Sequence, residues 1–80
     1  MRLDKFLKIS RLIKRRTVAN EACGAGRVCV NGRVAKAGAE VKVGDMIEIR
    51  FGSSLTKAEI TSIKEHVSKD AADTLYRVVP

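Results

Sequence analysis

Aromatic side chains are scarce in this sequence: Phe6, Phe51 and Tyr76 are the whole complement, and tryptophan is absent. Stacking of bases on an aromatic platform is therefore not expected to dominate any binding it does. His66 is the single histidine, and the two cysteines, Cys23 and Cys29, are too few and too widely spaced to complete a structural zinc site with it. No metal is expected, and both thiols read as free, small apolar groups in a reducing cytosol. Apolar runs stop at about three residues, against the roughly 7–15 of a secretory h-region or the ~20 of a membrane-spanning helix. Neither a signal peptide nor a membrane segment is expected, which points to the cytoplasm. No nucleophile elbow, His-Glu metal pair or phosphate-cradling glycine loop occurs, so catalysis and cofactors are not expected.

What the chain has in quantity is positive charge, unevenly placed. Sixteen Lys and Arg face nine Asp and Glu, a net charge of +7. Residues 1–36 carry ten basic and two acidic side chains, or +8, and residues 37–80 carry six and seven, or −1. The entire excess lies in the first half, as a surface patch for a polyanion would require. With 80 residues and 45% hydrophobic content, a single domain spanning 1–80 is expected, too small for a deep enzyme cleft with a supporting shell.

Leu3, Phe6 and Leu7 fall at i, i+3 and i+4, which predicts a helix from about Arg2 to Ser10 with one apolar stripe. Arg2, Lys5 and Lys8 step by three around the opposite side. A dense basic turn follows, Arg11-Leu12-Ile13-Lys14-Arg15-Arg16, with Leu12 and Ile13 tucked under the domain. Thr17 is the expected N-cap of a second helix whose buried arc is Val18, Ala19, Ala22, Cys23 and Ala25. Gly26 suits the left-handed position that ends helices.

The period then changes to alternation. Val28 and Val30 share a face, Asn31-Gly32 is a strong hairpin signal, and Arg33-Val34-Ala35 returns. Val41–Val43 reads as a short extended stretch and Gly44-Asp45 as a turn. Met46–Phe51 alternates with Ile47, Ile49 and Phe51 inward, and Gly52-Ser53-Ser54 turns into Leu55–Ile60. Beyond Ile60 the pattern is ambiguous: Lys69–Leu75 fits a helical turn and Tyr76–Val79 a strand. Two N-terminal helices packed on a small antiparallel sheet make an α+β fold.

The expected contacts to nucleic acid are Arg2, Lys5, Lys8, Arg11, Lys14, Arg15 and Arg16, with Thr17 at the start of the second helix and Asn31, Gly32 and Lys36 on the hairpin. Arginine forks bind phosphate bidentately, lysines add point charge, and a helix start offers backbone donors. Any one lysine taken alone is equally well explained as a solvated side chain.

Arg2-Leu3-Asp4-Lys5-Phe6-Leu7, Arg16-Thr17-Val18-Ala19, Gly26-Arg27-Val28 with Val30-Asn31-Gly32 and Lys36, and Val43-Gly44-Asp45 with Ile47 together resemble the S-four RNA-binding domain, over roughly residues 1–51. The resemblance implies the αL motif, whose helix faces and hairpin meet RNA; residues 52–80, beyond it, are expected to complete the sheet and form a C-terminal segment. It also implies that Arg2 and Arg16 face RNA and that Asp4 orients an arginine from within. Met1 to Thr17 is similar to the opening of the short bacterial RqcP family and, more distantly, of the heat-shock protein fifteen family. Chain end at Pro80, without a long basic extension, favours the first. That likeness implies a monomeric, ribosome-associated factor on large subunits holding peptidyl-tRNA, touching large-subunit rRNA and tRNA beside a nascent-chain tailing factor that adds C-terminal alanines. A heat-shock-type recycling factor, an accessory module of an RNA-modifying enzyme and a general polyanion binder are the alternatives.

Overall fold

The computed structural model describes residues 1–80. Helix α1 runs Leu3–Ile9 and buries Leu3, Phe6 and Leu7 completely, as their helical spacing requires. It ends at Ser10, whose buried hydroxyl donates to the Leu7 carbonyl at 3.2 Å. Arg11 then adopts a left-handed φ of 62°, unusual for a residue with a Cβ, and reverses the chain. Ile13 drops into the core and its N–H reaches back to the Leu7 carbonyl at 3.1 Å.

Helix α2 spans Arg16–Gly24 and begins one residue before the expected cap. Arg15 holds the cap position with extended backbone and no side-chain cap, so Thr17 sits inside the first turn. This early start lets the Ala19 N–H bond the Arg15 carbonyl at 3.0 Å. Of the predicted arc, Ala19, Ala22 and Cys23 are buried, while Val18 and Ala25 are exposed. At about 100° per residue the three buried positions span about 100°, and Val18 and Ala25 fall about 40–60° beyond Ala22. Gly26 takes φ +75° just past the helix.

Five antiparallel strands follow: β1 Val28–Val30, β2 Arg33–Val34, β3 Met46–Phe51, β4 Ser54–Ile60 and β5 Tyr76–Val79, in the order β2-β1-β3-β4-β5. Asn31 (φ 52°) and Gly32 (φ 83°) form the left-handed two-residue turn joining β1 to β2. A 3-10 helix, Lys69–Leu75, leads into β5 and buries Ala72 and Leu75. Val41–Val43 is not a ladder strand: Val41 is buried and paired to the Met1 carbonyl, whereas Val43 is exposed. Residues 1–4 are strapped to this loop by Leu3 N–H to Ala39 at 2.8 Å and Asp4 N–H to Ala37 at 3.1 Å.

Ile47 and Ile49 of β3, Val28, Ile60 and Leu75 join the helix residues in one core. Phe51 does not: its alternation is correct, but β3 outruns the core at the β3–β4 hairpin and leaves the ring 41% exposed. In the second half of the chain charges oppose each other across strands, with Glu48 facing Lys57 and Glu59 bonded to Arg77.

Candidate nucleic-acid interface

Asp4 is the pivot. It lies in the first turn of α1 with its side chain 3% exposed, because Leu3 and Phe6 on either side hold that turn against the core. Three donors converge on it. The Lys5 N–H donates to Oδ1 at 2.8 Å, and Arg2 approaches edge-on, Nε to Oδ1 at 3.1 Å and Nη2 to Oδ2 at 3.3 Å. From α2, Arg16 Nε stands 3.4 Å from Oδ2. Burial alone would raise the Asp4 carboxyl, but the hydrogen-bonded Arg2, with Arg16 and Asn20 close by, more than reverses it and holds the group at about 2. Arg2 is held protonated more firmly in turn, chiefly by its hydrogen bonds to Asp4.

The two arginines are fixed yet half open, with side-chain exposures of 51% for Arg2 and 49% for Arg16. One carboxylate between two guanidinium groups leaves a net positive site whose donors are aimed before any ligand arrives. The Arg2 guanidinium lies against Gly38, where an added Cβ would stand 3.7 Å from it. Asp4, Arg16, Thr17, Asn20 and Glu21 line a depression of about 380 Å³, and the uncapped first turn of α2 opens beside it.

The structure divides the predicted contacts into groups. Arg2, Arg16 and Thr17 come together around Asp4. Lys36 joins them at one remove, through a neighbouring hollow that Asn20 also lines. Lys8, Arg11, Lys14 and Arg15 are exposed and none is ion-paired within the chain. Lys5 differs, because its ammonium is paired with Glu65 from the segment after β4. The Glu65 carboxyl is lowered, first by the hydrogen bond from Lys5. Asn31 also braces the hairpin, since its amide donates to Asp45 at 3.1 Å and its oxygen accepts the Met46 N–H at 2.9 Å. Gly32 is exposed at the tip of that turn. Asn20 and Gly38 are the additions; Asn20 stands at i+4 from Arg16, a spacing that marks it as a neighbour, whereas Gly38 carries no local signal.

Cys23 is buried, which with the nearby Asp4 charge pushes its thiol up, and both cysteines are free. No group of three or more His, Cys, Asp or Glu side chains is placed to hold a metal, and no helix is long and apolar enough to cross a membrane.

The S4 domain family profile matches residues 1–47, the stretch that contains both helices, the Asp4 cluster and the first hairpin. The chain belongs to the S4 domain family. As an S4 protein it is 64% identical over 78 residues to the RQC P-site tRNA stabilizing factor of Halalkalibacterium halodurans, covering 98% of this chain and 89% of that one. It is 47% identical over 79 residues to the same-named factor of Streptococcus pneumoniae, covering 99% and 90%. Among solved structures, Heat Shock Protein 15 of Vibrio cholerae, described as trimeric, superposes with a TM-score of 0.90 at 32% identity, covering 99% of this chain and 81% of that one.

Proposed function

We propose that this S4 protein is a non-catalytic RNA-binding factor for large ribosomal subunits obstructed by peptidyl-tRNA. It touches rRNA and tRNA there while a tailing factor beside it extends the stalled chain with alanines. The observation that carries this reading is the buried Asp4 with Arg2 and Arg16 fixed around it, set within the half of the chain that holds all the excess charge. Such a site presents two oriented forks to a phosphate backbone, and the exposed Lys8, Arg11, Lys14 and Arg15 extend it. The relatives named as P-site tRNA stabilizing factors support the ribosomal setting. The protein acts as a monomer in the cytoplasm on this reading.

Co-sedimentation tests it: the chain should travel with large subunits carrying peptidyl-tRNA and much less with empty ones. Equal association with both would remove the quality-control role and leave a general large-subunit binder. The likeness to Heat Shock Protein 15 favours a second reading, a recycling factor of the heat-shock type. Under that reading association should rise after heat stress without any dependence on alanine tailing.

A further inference from the structure

Phe51 is the aromatic side chain that the fold leaves open. Phe6 is completely buried and Tyr76 half-buried, while Phe51 is 41% exposed at the end of β3. Its ring borders a groove shared with Val18, Glu21, Ala22, Ala25 and Arg27, about 260 Å³ in volume. Val18 of α2 and Ala25 just past its end are apolar yet fall outside the buried arc, so the apolar lining continues out of the core rather than closing over it. At this volume the groove lies below the roughly 300–1,000 Å³ usual for a small-molecule pocket, and suits one planar ring.

Its surroundings argue for what that ring is. Arg27 brings a cation to the groove, and its carbonyl, which accepts the Arg50 N–H at 2.9 Å, ties it to β3 beside Phe51. Val18 lies in the first turn of α2, directly after Arg15, Arg16 and Thr17, so this side of the groove adjoins the basic start of the helix. Glu21 lines both this groove and the Asp4–Arg16 depression, so the two are neighbours on α2. An aromatic face, apolar walls and a flanking arginine, next to a phosphate-binding surface, are what an unstacked base of RNA requires. Glu21 is the acid of the groove, and its two acceptor oxygens match the adjacent N1–H and N2–H donors of guanine.

We infer that the groove between α2 and the end of β3 receives one unpaired nucleobase, guanine by preference, stacked on Phe51 while its backbone lies on the basic face. The inference rests on the RNA-binding reading above and adds a base-reading site to a surface otherwise built for phosphates.

The probes are a short RNA hairpin with one bulged guanosine and the same hairpin with an abasic bulge, titrated against the full chain by fluorescence anisotropy. The wild-type protein should prefer the guanosine hairpin by roughly 5- to 100-fold, the range expected for one stacked base. Phe51→Ala should remove that preference. Phe51→Leu keeps apolar bulk without a π-face and should remove most of it, which gives a readout should the alanine variant fold poorly. Glu21→Gln should narrow the gap between a bulged guanosine and a bulged uridine. Val78→Ala, on the far strand, should leave both affinities unchanged. Equal wild-type affinity for the two hairpins, or a preference that survives both Phe51 variants, overturns the inference and leaves the RNA-binding reading intact. Failure to bind either hairpin overturns both.

Discussion

Asp4 is an acid at the centre of a surface meant for anions, so its removal separates two kinds of electrostatics. If bulk charge governed binding, Asp4→Asn would strengthen it, because the net charge rises from +7. Arg2 and Arg16 are instead aimed by that carboxylate, and losing the aim should weaken RNA binding by roughly 1 kcal/mol in a filter-binding titration. Arg16→Ala removes a fork outright and should cost roughly 1–3 kcal/mol in the same assay. Titration of the carboxyl gives a stability signature as well. Its native value of about 2 lies below the ordinary 3.8, so the folded state is favoured while the group is ionised. That contribution is complete above the unfolded value and is lost as pH falls toward the native one. Chemical denaturation should show about 2 kcal/mol disappearing between about pH 5 and pH 2, and Asp4→Asn should flatten that part of the profile. Arg11 behaves differently, because its left-handed backbone works against its own side chain. Arg11→Gly should keep or raise stability by up to about 1 kcal/mol while RNA affinity falls. Loss of stability in a thermal melt would show that the side chain, not the turn, holds that corner.

The elements are legible in the sequence wherever a local pattern sets them. The Leu3, Phe6, Leu7 stripe forms α1, Asn31-Gly32 forms the first turn, and even the ambiguous tail resolves as a 3-10 helix and a strand. Misplaced positions lie at element ends, where tertiary packing decides. Thr17 loses the cap because α2 begins at Arg16, next to Asp4, and Val18, Ala25 and Phe51 lie just past the rim of a small core. Pairing between distant segments is not legible at all. Nothing around Glu65 signals Lys5, 60 positions earlier, so a lysine expected to be free is engaged. The turn alone marks Asn31 as an RNA contact, yet its amide links that turn to Asp45 and β3. Asn31→Ala should therefore lower stability by roughly 1–2 kcal/mol by urea denaturation while changing RNA affinity little. The reverse pattern would return the residue to the binding surface. Of the candidate site, the charge and both arginines can be read from sequence, but the geometry that makes them one site cannot.

Over the whole molecule, binding should respond steeply to salt. Contact with about five phosphates predicts a slope of log affinity on log salt of about −3.5 to −4.5. A slope near zero would leave the basic half without a role. The pocket beside Phe51 should add to affinity without changing that slope, since stacking releases no counterions.

The sheet order gives the segregated charge a direction in space. Strands β1 and β2 stay with the helices at one edge, while β3 to β5, with Glu48 opposite Lys57 and Glu59 bonded to Arg77, form a nearly balanced flank. A body so built carries a permanent electric moment and turns in the field of a polyanion before contact. Collisions then arrive already oriented, and encounter is faster than for an evenly charged sphere of the same size.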